Sequence, residues 1–272
     1  MRNSSYKDFT DEEVVEMYVE RKMSLFQIYK ELHIGAPRIK NILNKHDIQI
    51  RDFAEQSGIE NHRRRFTNRT YSLNYDYFKS INKECAYILG FISADGSIYN
   101  GRLKVELKRQ DAYILEYFKS QLQYTGDVKY TISKIKDKAY ETARLSINSI
   151  DLCETLLKYG ITENKSFTLN ISNIPNEYEL DFIRGYFDGN GYTKVGKYAR
   201  FGICSASLDL IKWILNILAK NGLKTANIST IKNVHHIEYA QADSIKFYKL
   251  MYTKDNPCLI RKKEYFERYI KN

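Results

Sequence analysis

The sequence lacks the marks of a membrane or secreted protein. No apolar run reaches the roughly 18 residues that suggest a membrane span, and the N-terminal "MRNSSYKDFTDEE" has no apolar stretch after its Arg, so no secretory leader is expected. A soluble, cytoplasmic protein is expected. Cysteine is scarce: Cys85, Cys153, Cys204 and Cys258 contain no C-x2-C pair and sit mostly in apolar runs. They read as reduced core thiols rather than disulfide or zinc ligands. Of 5 histidines only His235 and His236 are adjacent, inside the strand-like "TIKNVHHIEYA". Neighbours in a strand point to opposite faces, so this pair does not ligate one metal. Acid is also in deficit, with 33 Asp plus Glu against 43 Lys plus Arg, a net charge of +10. The excess favours an anionic partner, and nucleic acid and an anionic membrane surface both satisfy it. What is present, 272 residues at 43% hydrophobic, suffices for a sizeable core and for two domains.

Residues 1 to 52 read as helices only. Thr10 with Glu13 forms a capping pattern before "EEVVEMYV", and Val14, Met17 and Tyr18 have helical spacing. This first helix is expected to end near Lys22. Ser24 caps a second, "HIG" makes a turn, and "APRIKNILNKHDI" gives a third with Ile39, Ile42 and Leu43 inward. Pro37 suits its first turn. Arg38, Lys40, Asn41, Asn44 and Lys45 then face outward, either to hold DNA or as the solvated face of a three-helix bundle. The segment resembles the resolvase-type helix-turn-helix. Residues 53 to 80 are polar and basic, with Arg63, Arg64, Arg65 and Arg69 interleaved with Phe66 and Tyr71. They read as a linker, serving as a phosphate-tracking arm or as a plain tether.

From residue 81 the sequence is duplicated. "YILGFISADG" (87–96) and "FIRGYFDGNG" (182–191) align at a fixed offset, and a helix, a hairpin, a helix, a second hairpin and a helix recur in each copy. Boundaries of 81–174 and 175–272 follow, giving an α+β fold with two αββαββα units. Ala86, Gly90 and Ala94 recur every four residues, as do Gly185 and Gly189, so the two motif helices are expected to meet backbone to backbone. In "GRLKVELK", Leu103, Val105 and Leu107 alternate with Arg102, Lys104, Glu106 and Lys108, one face apolar and the other mostly cationic. Lys134, Lys136, Lys138 and Arg144 extend that face in the first repeat, and Lys197, Arg200 and Lys232 supply it in the second. Asp95 ends the first motif helix. A carboxylate there opposes the helix dipole by about 0.3–1 kcal/mol, a placement that makes sense if Mg²⁺ or another divalent cation neutralises it.

On these two motifs, together with "NKSFTL" and "CLIRKKEYF", residues 81 to 268 resemble the two-repeat LAGLIDADG homing endonucleases. The resemblance implies two saddle-shaped sheets on a long duplex DNA site and cleavage of both strands with a divalent metal. It implies a single chain with internal pseudo-two-fold symmetry, belonging to an intron or other mobile element and found in a bacterial or phage-like cytoplasm or wherever the host DNA lies. It assigns metal binding to Asp95 and to its counterpart, support of the active centre to Lys165 and Lys262, and ordering of water to Gln110. The second half departs from the pattern. Asn190 replaces the second acid, and Ala206 stands opposite Gln110. An amide oxygen coordinates Mg²⁺ without bringing charge, so the second centre is expected to be weaker. Asp188 does not compensate, since it lies about 200° around the helix from Asn190. Two functions follow: a metal-dependent DNA endonuclease with one impaired centre, or a DNA-binding regulator that has kept the scaffold and lost cleavage. An RNA-splicing cofactor of the same fold is a third.

Overall fold

The computed structural model describes residues 9–52, 55, 70–135, 138–161, 174–253 and 256–270. They form two compact units, the first ending at Thr70 and the second starting at Tyr71.

Among its described residues the first unit has the helices α1 (Asp11–Val19), α2 (Leu25–Leu32) and α3 (Ala36–Lys45). Their apolar stripes supply a separate core of Val14, Met17, Ile28, Leu32, Ile39 and Leu43. Thr10 caps α1 by accepting from the Glu13 N–H at 3.2 Å. The reciprocal capping box falls at α2, where Ser24 and Gln27 bond each other's backbone N–H. Helix α1 stops at Val19 rather than near Lys22, and Lys22 has a left-handed φ of 52°. Pro37 lies in the first turn of α3.

The second unit contains both repeats. In chain order they are α4 (Lys83–Asp95), β1 (Gly96–Tyr99), β2 (Arg102–Lys108), α5 (Ala112–Gln121), β3 (Lys129–Ile135), β4 (Lys138–Asn148) and α6 (Ile150–Leu157). The second repeat gives α7 (Glu179–Asn190), β5 (Gly191–Lys194), β6 (Arg200–Ser205), α8 (Leu208–Lys220), β7 (Ser229–Ile231), β8 (Val234–Ala240), α9 (Ala242–Met251) and α10 (Ile260–Ile270). Each repeat folds an antiparallel four-stranded sheet, in the orders β1-β2-β4-β3 and β5-β6-β8-β7. The expected αββαββα order therefore holds in both halves. Asn100 and Gly101, with φ of 48° and 69°, make the tight β1–β2 turn.

The linker is shorter at its C-terminal side than composition suggests. Leu73 and Phe78 are buried in the core of the second unit, and Ser72 and Asn74 are tied to Thr125 and Leu122. Two large apolar side chains suffice to anchor a polar stretch when the neighbouring helices offer a hydrophobic surface.

The repeats join along α4 and α7. A Cβ on Gly90 would lie 2.0 Å from the Phe182 carbonyl oxygen, and one on Gly185 would lie 2.0 Å from that of Tyr87. One on Gly189 would lie 2.4 Å from the Ala94 Cβ. The glycine spacing thus does what the sequence implies: it removes the side chains that would hold the two backbones apart.

Candidate active site and nucleic-acid interface

Asp95 and Asn190 are the last residues of α4 and α7, and each runs directly into the first strand of its sheet. Gly189 packs on Ala94, so the two helix ends meet. Tyr186 adjoins Asn190: it accepts from Asn190 Nδ2 at 3.4 Å, and the Asp95 charge adds to the rise that burial produces in its pKa. Asp95 is exposed and Asn190 half-buried. Asn190 Nδ2 also donates to the Cys204 carbonyl at 2.8 Å. Its amide nitrogen is therefore committed to β6, which turns Oδ1 to the other side.

Lys262, on α10, is buried beside the same helix end. Its Nζ donates to the Phe187 carbonyl, to that of Asp188 at 2.8 Å and to that of Gly191 at 2.6 Å. An ammonium has three N–H groups, and all three are used here. Lys262 thus caps the C-terminal carbonyls of α7 and faces the negative end of its dipole. Burial pushes its pKa down to about 8, opposed by the charges of Asp188 and Asp95.

Asp188 points away from the site, as the helical angle requires. It is fully buried, accepting from Tyr87 at 2.9 Å, Tyr252 at 2.9 Å and the Leu259 N–H at 2.8 Å. Burial raises its carboxyl above the usual range, and Lys262, the Leu259 N–H and both tyrosines act against that rise. One turn earlier, the buried Arg184 pairs with Asp181 at 2.7 Å, donates to the Pro257 carbonyl at 3.1 Å and lies over the Tyr87 ring. This polar cluster ties the first repeat to the C-terminal segment of the second.

Gln110 is exposed in a short 3-10 turn between β2 and α5. Ala206 follows β6 at the corresponding place. Lys165 lies outside the described residues.

The outward face of the first sheet is polar, as alternation predicts. Arg102, Lys104, Glu106 and Lys108 of β2 stand opposite Asn148, Ser146, Arg144 and Thr142 of β4. Arg102 bonds Asn148 Oδ1 at 2.6 Å. Glu106 is held by Lys104 at 2.6 Å and Thr142 at 3.0 Å, and Lys104 first of all keeps its carboxyl below the usual range. It therefore orients and partly neutralises Lys104 on this face. Lys129 stands opposite Arg144 and extends the cationic strip. In the second sheet Lys194 pairs with Arg200 across β5–β6 and also contacts Glu238, which accepts from Tyr192 at 2.6 Å. Lys197, in the β5–β6 loop, lies over the Tyr198 ring, and Lys232 is exposed in the β7–β8 turn. In the first unit Arg38, Lys40, Asn41, Asn44 and Lys45 are all exposed on α3. Lys45 is paired with Asp11 at 2.9 Å, and Arg38 lies over Phe9. Arg63, Arg64, Arg65, Arg69 and Lys136, and the side chains of Lys134 and Lys138, fall outside the described residues.

Sequence reasoning passed over Lys129 and Lys194, although strand alternation in "VKYTI" and "GYTK" marks both. It also passed over Arg184, Asp111, Tyr113 and Arg261. For Arg184 there was a signal, a cation with acids at i−3 and i+4, Asp181 and Asp188, in a largely apolar motif helix.

Two αββαββα repeats joined through a pair of glycine-bearing helices define the LAGLIDADG endonuclease fold. No protein-family profile and no curated protein matches the sequence. Among solved structures, the homing endonuclease I-WcaI bound to its DNA recognition sequence is 18% identical over 70% of this chain and 90% of that one, with a TM-score of 0.51. This likeness shows the fold. Mesophilic variants of the homing endonuclease I-DmoI match at 18% identity over 72% of this chain and 99% of that one, with a TM-score of 0.46. The N-terminal LAGLIDADG domain of DUF199/WhiA matches at 13% identity over 80% and 98%, with a TM-score of 0.44. Among the described residues no helix is long and apolar enough to cross a membrane.

Among the described residues no three His, Cys, Asp or Glu side chains cluster as a metal site. The Asp95 carboxylate and the Asn190 amide oxygen are two hard oxygen donors at adjoining helix ends. That set fits an ion such as Mg²⁺, which takes few protein ligands and fills its shell with water and phosphate oxygen.

Proposed function

We propose that this chain is a metal-dependent endonuclease of double-stranded DNA, acting as a single chain with two unequal centres. The observation that carries the reading is the meeting of Asp95 and Asn190 at the ends of the two joined motif helices, each leading into a four-stranded sheet, the first of which has a polar, basic outward face. The sheets hold phosphates through Arg102, Lys108, Lys129, Arg144 and Arg200. Asp95 would hold a divalent ion at one centre and Asn190 Oδ1 would hold one more weakly at the other, and when bound such an ion supplies positive charge to the scissile phosphate and acidifies water. Tyr186 and the Cys204 carbonyl fix which face Asn190 presents, and Gln110 would order water. The first unit, through the exposed face of α3, and the basic segment that follows it would lengthen the DNA footprint.

The test is a supercoiled plasmid carrying the DNA that flanks the gene's own locus, followed in Mg²⁺. The open-circular form should appear first and the linear form slowly. Asn190→Asp should speed the second step, since it restores a carboxylate ligand. Asp95→Asn should stop the first cut while leaving binding intact, because it removes negative charge near phosphate. Equal cutting of both strands by the unaltered protein would refute the unequal centres.

A specific observation favours a second reading, a DNA-binding regulator. All three N–H groups of Lys262 are engaged with backbone, leaving none to act on water or phosphate. Tight binding without any cut, even after Asn190→Asp, would select it.

A further inference from the structure

The first turn of α10 is held partly from outside its own repeat. A helix N-terminus leaves its leading N–H groups without partners in the helix. The Leu259 N–H donates to Asp188 Oδ2 at 2.8 Å, and the Ile260 N–H donates to the Tyr113 hydroxyl at 2.6 Å. That hydroxyl donates in turn to the Cys258 carbonyl at 3.2 Å. Arg261 Nε then donates to Asp111 Oδ2 at 2.9 Å, and the Asp111 side chain is only 4% exposed. Asp111 and Tyr113 belong to the first repeat, while the groups they hold belong to the second. The next residue is Lys262, which sits on the last carbonyls of α7.

We infer that Asp111 and Tyr113 are positioning residues for the Asn190 end of the site: they fix the first turn of α10, and through Lys262 the end of α7 from which Asn190 projects. The chain of contacts is continuous. A lysine stem has four rotatable bonds and settles on three carbonyls only if its backbone is anchored. Its anchors are the two residues before it, and each is bonded to a first-repeat side chain. The first repeat therefore sets the geometry of the second centre as well as its own. The kinetic consequence rests on the endonuclease reading, whereas the positioning of Lys262 does not.

The experiment uses the full chain carrying Asn190→Asp, with and without Tyr113→Phe or Asp111→Asn, on DNA labelled separately on each strand. Both variants should slow the strand that Asn190→Asp accelerates by about tenfold or more, the scale of a misplacement near 1 Å. The other strand should change by less than about threefold. Pairing Asp111→Arg with Arg261→Asp should restore much of the loss, which a general loss of stability would not allow. A second measurement needs no cleavage: with an amine-reactive reagent and mass spectrometry, Lys262 should be protected in the parent and labelled in either variant. Equal slowing of both strands, or unchanged protection of Lys262, would overturn the inference. If the parent and Asn190→Asp proteins cut no DNA at all, the endonuclease reading fails and the labelling alone decides the positioning.

Discussion

Gly185→Ala adds one methyl group at the point where α4 and α7 touch, and its consequence follows from the distances. The new Cβ would lie 2.0 Å from the Tyr87 carbonyl oxygen and 2.9 Å from the Phe91 nitrogen, against 3.4 Å or more in ordinary contact. Both obstacles are backbone atoms, so no side chain can rotate aside, and the helices must part by about 1 Å or more. Overpacking a core typically costs about 1–3 kcal/mol, and a backbone-on-backbone clash belongs at the upper end. With a urea slope of about 1–3 kcal/mol per molar, the unfolding midpoint should fall by about 1 M or more. The same parting separates Asp95 from Asn190, so activity should fall by more than the loss of folded protein explains. Gly196→Ala is the control, because a Cβ there meets nothing within 4 Å. Urea titrations followed by circular dichroism, with binding and cleavage measured well below the midpoint, test each step. A Gly185→Ala midpoint equal to that of Gly196→Ala would refute the close approach on which the joined site depends.

Two further outcomes are expected. DNA affinity should fall by orders of magnitude between about 50 and 200 mM salt, as for any protein that neutralises several phosphates; removing the first unit with its exposed α3 cations should flatten the slope, and a binding curve insensitive to salt would exclude a duplex partner. Lys262 titrates near 8 in the folded chain against 10.5 for the ordinary side chain, so between those values the unfolded state holds more protons and stability should rise with pH. Lys262→Met should lose that rise, which the difference between the two urea midpoints from pH 8 to 10.5 reports.

The parts of the fold set by repetition were legible in the sequence. Alternation in "GRLKVELK" gives the outward row from Arg102 to Lys108, and the four-residue spacing of small residues gives the α4–α7 seam, because each pattern reports one local period. The polar clamp was not legible. Asp111 bonds Arg261, and Tyr87 bonds Asp188, pairs far apart in the chain whose registration depends on how the repeats dock. The start of the second unit was missed for a related reason. Leu73 and Phe78 are too few to make a periodic signal, yet they are buried once the first repeat offers them a surface.

The two motif helices differ by more than Asn190. Where α7 carries Arg184 and Asp188, the aligned positions of α4 hold Leu89 and Ser93, all four of them buried. The first helix buries a nearly apolar face and leaves its terminal carboxylate exposed. The second places two charged groups in the interior: Arg184 is held by Asp181 of its own helix and by the Pro257 carbonyl, and Asp188 by Tyr87, Tyr252 and the Leu259 N–H. A buried charge without such partners costs several kcal/mol, so the C-terminal segment has to dock before the end of α7 is stable. That docking brings Lys262 onto the α7 carbonyls, beside Asn190. A second acid at position 190 would add a carboxylate to a helix end already crowded with carbonyl oxygens, with Lys262 the one ammonium among them. The amide avoids that repulsion and gives Cys204 a hydrogen bond that a carboxylate cannot donate. Asn190→Asp should therefore carry a stability cost in metal-free buffer, and added Mg²⁺ should offset it if the restored carboxylate binds the ion.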